Sequence, residues 1–323
     1  MLIYLYIPAG FLLLVFGGNY LVTGAVGLAN RLGVSPLIIG ATIVSYGTTS
    51  PELVVSLDAA LSGAPGIAIG NVVGSNICNF LLILGTAAVI FPIVARADAV
   101  ARTGLFLIGA TMLLIAVSWT GYIGPYRGAL LLIVLVGFTW WSFMKERDAS
   151  PEAAGMADEA MEIGRKAPRS VPIAVGTILA GVGGVVIGAH LLVTGAIFLA
   201  REFGVDESII GLTVVAIGTS LPEYATAVTA ALRRHPEVAL GNVLGANIYN
   251  ILAIMGLVSL VSDIPVPARM LEFDLWFLLA MTVAFIGWLI VFRRLSRAFG
   301  IVCLVVYLTY VASLFLSGRV PAV

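Results

Sequence analysis

The chain has 323 residues, of which 60% are hydrophobic and only 11% are charged, against about 25% charged in an ordinary soluble protein. Its mean hydropathy of +1.10 comes from apolar stretches near the ~20 residues a helix needs to cross a bilayer, which excludes water-soluble enzymes and nucleic-acid readers as accounts of the whole chain. The 17 Lys and Arg balance the 17 Asp and Glu, so net charge points to no acidic partner.

In chain order, the first apolar stretch, Leu2–Leu28, lacks a basic leader and a small-residue cleavage site and reads as a retained span. Further stretches follow near Pro36–Leu61, Ile67–Val94, Ala101–Thr120 and Gly124–Met144. A polar run from about Lys145 to Ser170, with Pro, Gly and mixed charges, suits a solvated linker. Apolar stretches then resume near Val171–Ala200, Ser208–Leu232, Val238–Val261, Phe273–Phe292 and Phe299–Leu316. Both cysteines, Cys78 and Cys303, lie inside apolar stretches, which argues against a disulfide framework.

The second series copies the first. Leu21-Val22-Thr23-Gly24-Ala25 recurs as Leu192-Val193-Thr194-Gly195-Ala196, an offset of 171 that holds without a gap to Gly85 and Gly256. About half of the aligned positions are identical, far more than shared apolar composition produces. Five spans per copy is an odd number, so the second copy enters the membrane from the opposite side. The predicted fold is therefore all-α and integral to the membrane: ten transmembrane helices as two inverted five-helix repeats, residues 1–145 and 171–323, joined by a linker over 146–170. Positive charge orients it. With the N-terminus on one side, that side holds four basic residues (Arg127, Arg201, Arg269, Arg319) and the other holds thirteen. The richer side is expected to be cytoplasmic, with the linker there and both termini outside, in the cytoplasmic (inner) membrane.

Two acidic residues fall mid-span: Glu52 and Glu223, at matched positions. An ionised carboxylate at that depth costs at least ~2.5 kcal/mol, and intramembrane acids are functional by default. The bland reading is a neutral, hydrogen-bonded pair. The neighbours favour function: Gly47-Thr48-Thr49-Ser50-Pro51-Glu52 and Gly218-Thr219-Ser220-Leu221-Pro222-Glu223 each place a proline before the acid. Proline has no N–H, which frees the carbonyls of Gly47 and Gly218 and loosens the turns at Thr48 and Thr219. Bare carbonyls are tolerated at membrane depth where they line a wet cavity or are buried in protein. Carbonyl, hydroxyl and carboxylate oxygens together suit hard cations such as Ca²⁺ and Na⁺.

The third span of each copy adds Gly70-Asn71-Val72-Val73-Gly74-Ser75-Asn76-Ile77-Cys78-Asn79, matched by Gly241-Asn242-Val243-Leu244-Gly245-Ala246-Asn247-Ile248-Tyr249-Asn250. Glycines four apart permit close helix approach. Asn71, Asn76, Asn242 and Asn247 suit either a polar cavity or interhelical hydrogen bonding, whereas Asn79 and Asn250 are read as cavity-lining. Other residues take plain readings. Asp58, whose repeat partner is Thr229, reads as a solvated span end. His190 stands alone in its span and His235 sits by a loop, which makes no metal site. Gly17, Gly18, Gly24, Gly183, Gly184, Gly188 and Gly195 give the first span of each copy a smooth packing surface.

At these motifs the sequence resembles the Ca²⁺/cation antiporter superfamily, specifically the prokaryotic sodium/calcium exchangers, whose two α-repeats correspond to Gly40–Gly85 and Gly211–Gly256. The resemblance implies alternating access, with the first and sixth spans sliding over a core of the other eight. It implies Ca²⁺ ligation by Glu52 and Glu223, completed by the carbonyls of Thr48 and Thr219. The sodium sites would use Thr48, Ser75, Glu52 and the Ser45 carbonyl in one repeat, and Thr219, Glu223 and the Ala216 carbonyl in the other. Thr49 and Ser220 would line the pocket. The chain departs from the family's pattern at Ala246, where a serine is common, and at Asn250, where several relatives carry aspartate. The pocket thus holds at most two formal negative charges.

The expected function is export of cytoplasmic Ca²⁺ in exchange for Na⁺, by a chain that is not an enzyme, needs no cofactor, binds no nucleic acid and acts as a monomer in the lipid bilayer. Protons are expected to compete for the two carboxylates. The alternative is an H⁺-coupled cation exchanger using the same pair. An intramembrane hydrolase would need histidines beside the acids or an activated nucleophile, and a scaffold would leave both buried acids unexplained.

Overall fold

A computed structural model of the chain describes residues 2–31, 45–94, 97–145, 170–232 and 236–317, together with Arg165 and Pro168. After a short 3₁₀ turn, the first half comprises α1 (Tyr6–Arg31), α2 (Ser45–Thr48), α3 (Ser50–Leu61), α4 (Pro65–Ile90), β1 (Ile93–Val94), α5 (Ala97–Ser118), β2 (Tyr122–Ile123) and α6 (Pro125–Lys145). The second comprises α7 (Val171–Phe203), α8 (Glu207–Thr219), α9 (Leu221–Leu232), α10 (Pro236–Tyr249, continuing to Val261), β3 (Ile264–Pro265), α11 (Met270–Phe292), β4 (Arg294–Leu295) and α12 (Arg297–Ser317). Each predicted apolar stretch is mainly helical where it is described, although the stretch Ile67–Val94 leaves the helix after Ile90 and ends in β1. Most of the predicted linker, the start of the second predicted span with Gly40, and His235 lie outside the described residues.

Among the described residues, seven helices are long and apolar enough to cross a membrane, or eight if α8 and α9, bent by 47°, count as one span. Helix ends follow local chemistry. Pro65, Pro125 and Pro236 open their helices, where a missing N–H costs nothing. Ser170 caps α7 by accepting from the N–H of Ile173, and Gly204, at φ 58°, closes it in the left-handed region.

The first helices of the two halves pack antiparallel along a glycine seam. A Cβ at Gly10 would lie 2.8 Å from the carbonyl of Gly188, one at Gly17 would lie 2.7 Å from the nitrogen of Val185, and one at Gly24 would lie 3.0 Å from the carbonyl of Ala174. Five of the seven glycines predicted for this surface (17, 24, 184, 188 and 195) sit in the α1–α7 seam, whereas Gly18 faces Pro51 and Gly183 meets nothing within 4 Å.

The centre belongs to α4 and α10. In each, 78% of the apolar window is buried, against 28–44% in the other spanning helices. Both widen into a π-turn at the equivalent residue, Asn79 in one and Asn250 in the other. Gly70 of α4 and Gly211 of α8 meet so closely that a Cβ on either would come within 2.9 Å of the other's Cα. Two antiparallel ribbons finish the bundle, β1 with β4 and β2 with β3. The 22-residue α5 separates β1 from β2, roughly 33 Å at 1.5 Å per residue, which puts the ribbons at opposite ends.

Candidate cation site

Two interrupted helices build the site. Thr49, at φ −87° and ψ 2°, leaves helical geometry between α2 and α3. Ser220, at φ −83° and ψ 8°, does the same between α8 and α9. The prolines follow two residues later, so the helical N–H four residues on is missing for the carbonyls of Gly47 and Gly218. In the first half the hydroxyl of Ser50 takes up the Gly47 carbonyl at 2.8 Å. The second half has Leu221 at that position and no such hydroxyl. Bulk guards both breaks, since the Phe11 ring of α1 lies over Gly218 and Val22 lies over Gly47.

Glu52 and Glu223 occupy the first turns of α3 and α9, where backbone N–H groups lack helical partners and the dipole favours an anion. Both are enclosed, at 1% and 0% exposure. They are near enough to repel one another. Each faces the other half's break: Ser220 Oγ donates to Glu52 Oε1 at 3.1 Å, and the hydroxyls of Thr48 and Thr49 approach the Glu223 carboxylate. No hydrogen bond of ordinary length reaches Glu52 Oε2 or either oxygen of Glu223. Buried carboxylate oxygens from both halves thus lack a full set of hydrogen bonds, a condition that suits a cation.

The remaining sequence-derived residues lie around this pair. Thr219 and Ser75 are fully buried and both donate toward Asn71 Oδ1, at 3.0 and 3.5 Å, so Ser75, expected in the sodium set of Thr48, shares its acceptor with Thr219 of the other set. Ser45 and Ala216 begin the helical turns that end at Thr48 and Thr219. Asn79 donates to Asn247 Oδ1 at 2.8 Å, leaving its own oxygen without a partner, and neither amide atom of buried Asn250 has one. Among the described residues no group of three or more His, Cys, Asp or Glu side chains gathers, so neutral oxygens must supply the rest of any coordination shell here. Cys78 and Cys303 are both free thiols.

The sodium/calcium exchanger protein family matches residues 2–144 and 173–316, leaving only the intervening polar stretch and the extreme ends outside. The chain belongs to that family. It is 33% identical to the putative antiporter CaxA of Alkalimonas amylolytica, covering 97% of this chain and 98% of that protein. It is 30% identical to the sodium/calcium exchanger MaX1 of Methanosarcina acetivorans, with 97% and 98% covered. A solved structure of the sodium-calcium exchanger NCX_Mj, soaked with Na⁺ and Ca²⁺, superimposes with a TM-score of 0.66 at 29% identity, covering 97% of this chain and 98% of that one. The family is one of membrane transporters, and the protein is a multi-pass membrane protein.

Within this exchanger-family chain, two relationships escaped the sequence. Asn71 bonds to Glu52 and Ser56 of α3, to Thr219 of α8 and to Ser75 of its own helix; the repeat alignment flags Asn71 but offers no hint of Ser56, whose counterpart is Ala227. Asp58 sits in the last turn of α3 and is partly exposed. It packs 3.6 Å from His190 Nδ1 of α7, a pairing between helices far apart in sequence that no local pattern encodes.

Proposed function

We propose that the chain is a secondary antiporter that exchanges Ca²⁺ for Na⁺ across the cytoplasmic membrane by alternating access, exporting Ca²⁺. The observation that carries this reading is the burial of Glu52 and Glu223, one from each half, at two helix breaks joined by the Ser220–Glu52 hydrogen bond, with Glu52 Oε2 left without a partner. Glu52, Glu223 and the carbonyls of Thr48 and Thr219 take Ca²⁺. The hydroxyls of Thr48, Thr219 and Ser75 and the carbonyls of Ser45 and Ala216 serve Na⁺, with Thr49, Ser220, Asn79 and Asn250 lining the site.

The proposed architecture is ten transmembrane helices in two inverted five-helix repeats, residues 1–145 and 171–323, about a cytoplasmic linker over 146–170. Three features support it. Equivalent helices α1 and α7 run antiparallel. The offset of 171 carries Ile93 of β1 onto Ile264 of β3, exchanging ribbons at opposite ends of the bundle. The serine–glutamate contact crosses between the halves. The four-to-thirteen distribution of basic residues supports external termini. A site built within one chain supports a monomeric transporter.

Coupling follows from charge. One Ca²⁺ neutralises both carboxylates, as do two Na⁺, and an empty, doubly charged site resists closure in lipid. A third Na⁺ would make each cycle electrogenic, worth ~2.3 kcal/mol per charge per 100 mV. Calcium flux in proteoliposomes with Na⁺ and pH gradients imposed separately tests the reading. Uptake driven by Na⁺ alone is expected; uptake driven only by pH would replace it with H⁺ coupling through the same glutamates.

A further inference from the structure

One carboxamide ties three parts of the site together. Asn71 is fully buried in α4 and engages partners at both ends of its amide. Nδ2 donates to the main-chain oxygen of Glu52 at 3.3 Å and to Oγ of Ser56 at 3.0 Å. Oδ1 accepts from the hydroxyl of Thr219 at 3.0 Å and, at greater length, from that of Ser75 at 3.5 Å. The Glu52 carbonyl can only accept, so it fixes which end of the amide is nitrogen and turns the oxygen toward the two hydroxyls.

That orientation has a chemical consequence. A hydroxyl carries one hydrogen and two lone pairs, and a hard cation binds the lone pairs. With their hydrogens directed at Asn71 Oδ1, Thr219 and Ser75 keep their lone pairs free for an ion. The competing acceptor for Thr219, the Ala216 carbonyl, is more distant at 3.4 Å. The second half has no counterpart to two of these hydroxyls. Its equivalent amide, Asn242, has a buried Nδ2 without a partner, and the positions matching Ser56 and Ser75 are Ala227 and Ala246.

We propose that Asn71 is a positioning residue for Na⁺: by holding the hydroxyl hydrogens of Thr219 and Ser75 away from the ion, it makes this part of the site the tighter Na⁺ subsite. The inference rests on the exchanger reading above. Ca²⁺, bound mainly by carboxylates and carbonyls, depends on Asn71 much less.

The test uses the full chain in proteoliposomes and two assays: the Na⁺ concentration giving half-maximal Ca²⁺ flux, and the Ca²⁺ concentration giving half-maximal Ca²⁺/Ca²⁺ self-exchange without Na⁺. Wild-type protein is measured first, and a lack of Na⁺-dependent flux there would overturn the functional reading itself. Given that flux, Asn71→Ala is expected to raise the Na⁺ value by about 5- to 10-fold, the worth of one or two hydrogen bonds, while the self-exchange value stays within about twofold. In a Thr219→Val/Ser75→Ala background the same substitution should add no further Na⁺ effect. If Asn71→Ala fails to insert, Asn71→Ser, which keeps a shorter oxygen acceptor, is judged by the same pair of values, with a rise of about threefold in the Na⁺ value alone expected. A merely structural role would shift both values together; that result, or an unmoved Na⁺ value, overturns the proposal.

Discussion

Gly218→Ala probes how closely α1 is fitted to the second helix break. A Cβ at this position would lie 1.5 Å from Cε1 of Phe11, 2.2 Å from its Cζ and 2.3 Å from its Cδ1. Carbon atoms pack at about 3.5–4.0 Å, so the ring must retreat by about 2 Å or α1 must shift bodily beside Thr219. Overpacking of this kind costs about 1–3 kcal/mol, or roughly 5- to 150-fold in the balance between conformations. Na⁺-driven Ca²⁺ flux in proteoliposomes should therefore fall about tenfold or more. Removing the ring in the double variant Gly218→Ala/Phe11→Ala should restore flux to within about threefold of Phe11→Ala alone. The matching change Gly47→Ala meets only a methyl of Val22, 2.5 Å away, and should be milder. Full flux in Gly218→Ala, or no rescue by Phe11→Ala in protein that remains folded, would refute the packing account.

Ser220→Ala removes the hydroxyl that donates to Glu52 Oε1; a hydrogen bond to a charged group contributes about 1.5–3 kcal/mol, so Ca²⁺ half-saturation should rise at least about tenfold, and an unchanged value would show that the contact is unimportant. Lowering pH should depress Ca²⁺ flux, because protonation removes the negative charge that the cation needs, and raising Ca²⁺ should relieve the inhibition; inhibition that Ca²⁺ cannot relieve would place the titrating group elsewhere. Ala246→Ser supplies the hydroxyl that the second half lacks and should lower the Na⁺ concentration for half-maximal flux a few-fold, read against unchanged Ca²⁺ self-exchange.

Much of this organisation was legible in the sequence because duplication doubles each signal. A single proline beside an acid in one helix is open to a packing explanation; Pro51-Glu52 and Pro222-Glu223 at one offset locate both breaks, which the structure places at Thr49 and Ser220. What stayed hidden is which residue meets which. Alignment pairs Thr49 with Ser220, yet each faces the other half's glutamate, and such crossed contacts arise only when the halves are folded against one another. The π-turns at Asn79 and Asn250 leave no mark in composition, since their apolar flanks read as ordinary helix. The Asp58–His190 pair joins spans whose adjacency is set by tertiary packing.

Calcium binding by purified protein carrying Glu52→Gln, Glu223→Gln and both changes together tests most directly whether two carboxylates hold one ion. Residues that share a ligand are strongly non-additive. Each single change should weaken binding at least about 100-fold, an effect of about 2.7 kcal/mol, and the double change should cost little more than either alone. Near-normal Ca²⁺ affinity in one single variant, or losses that simply add in the double, would contradict a common site.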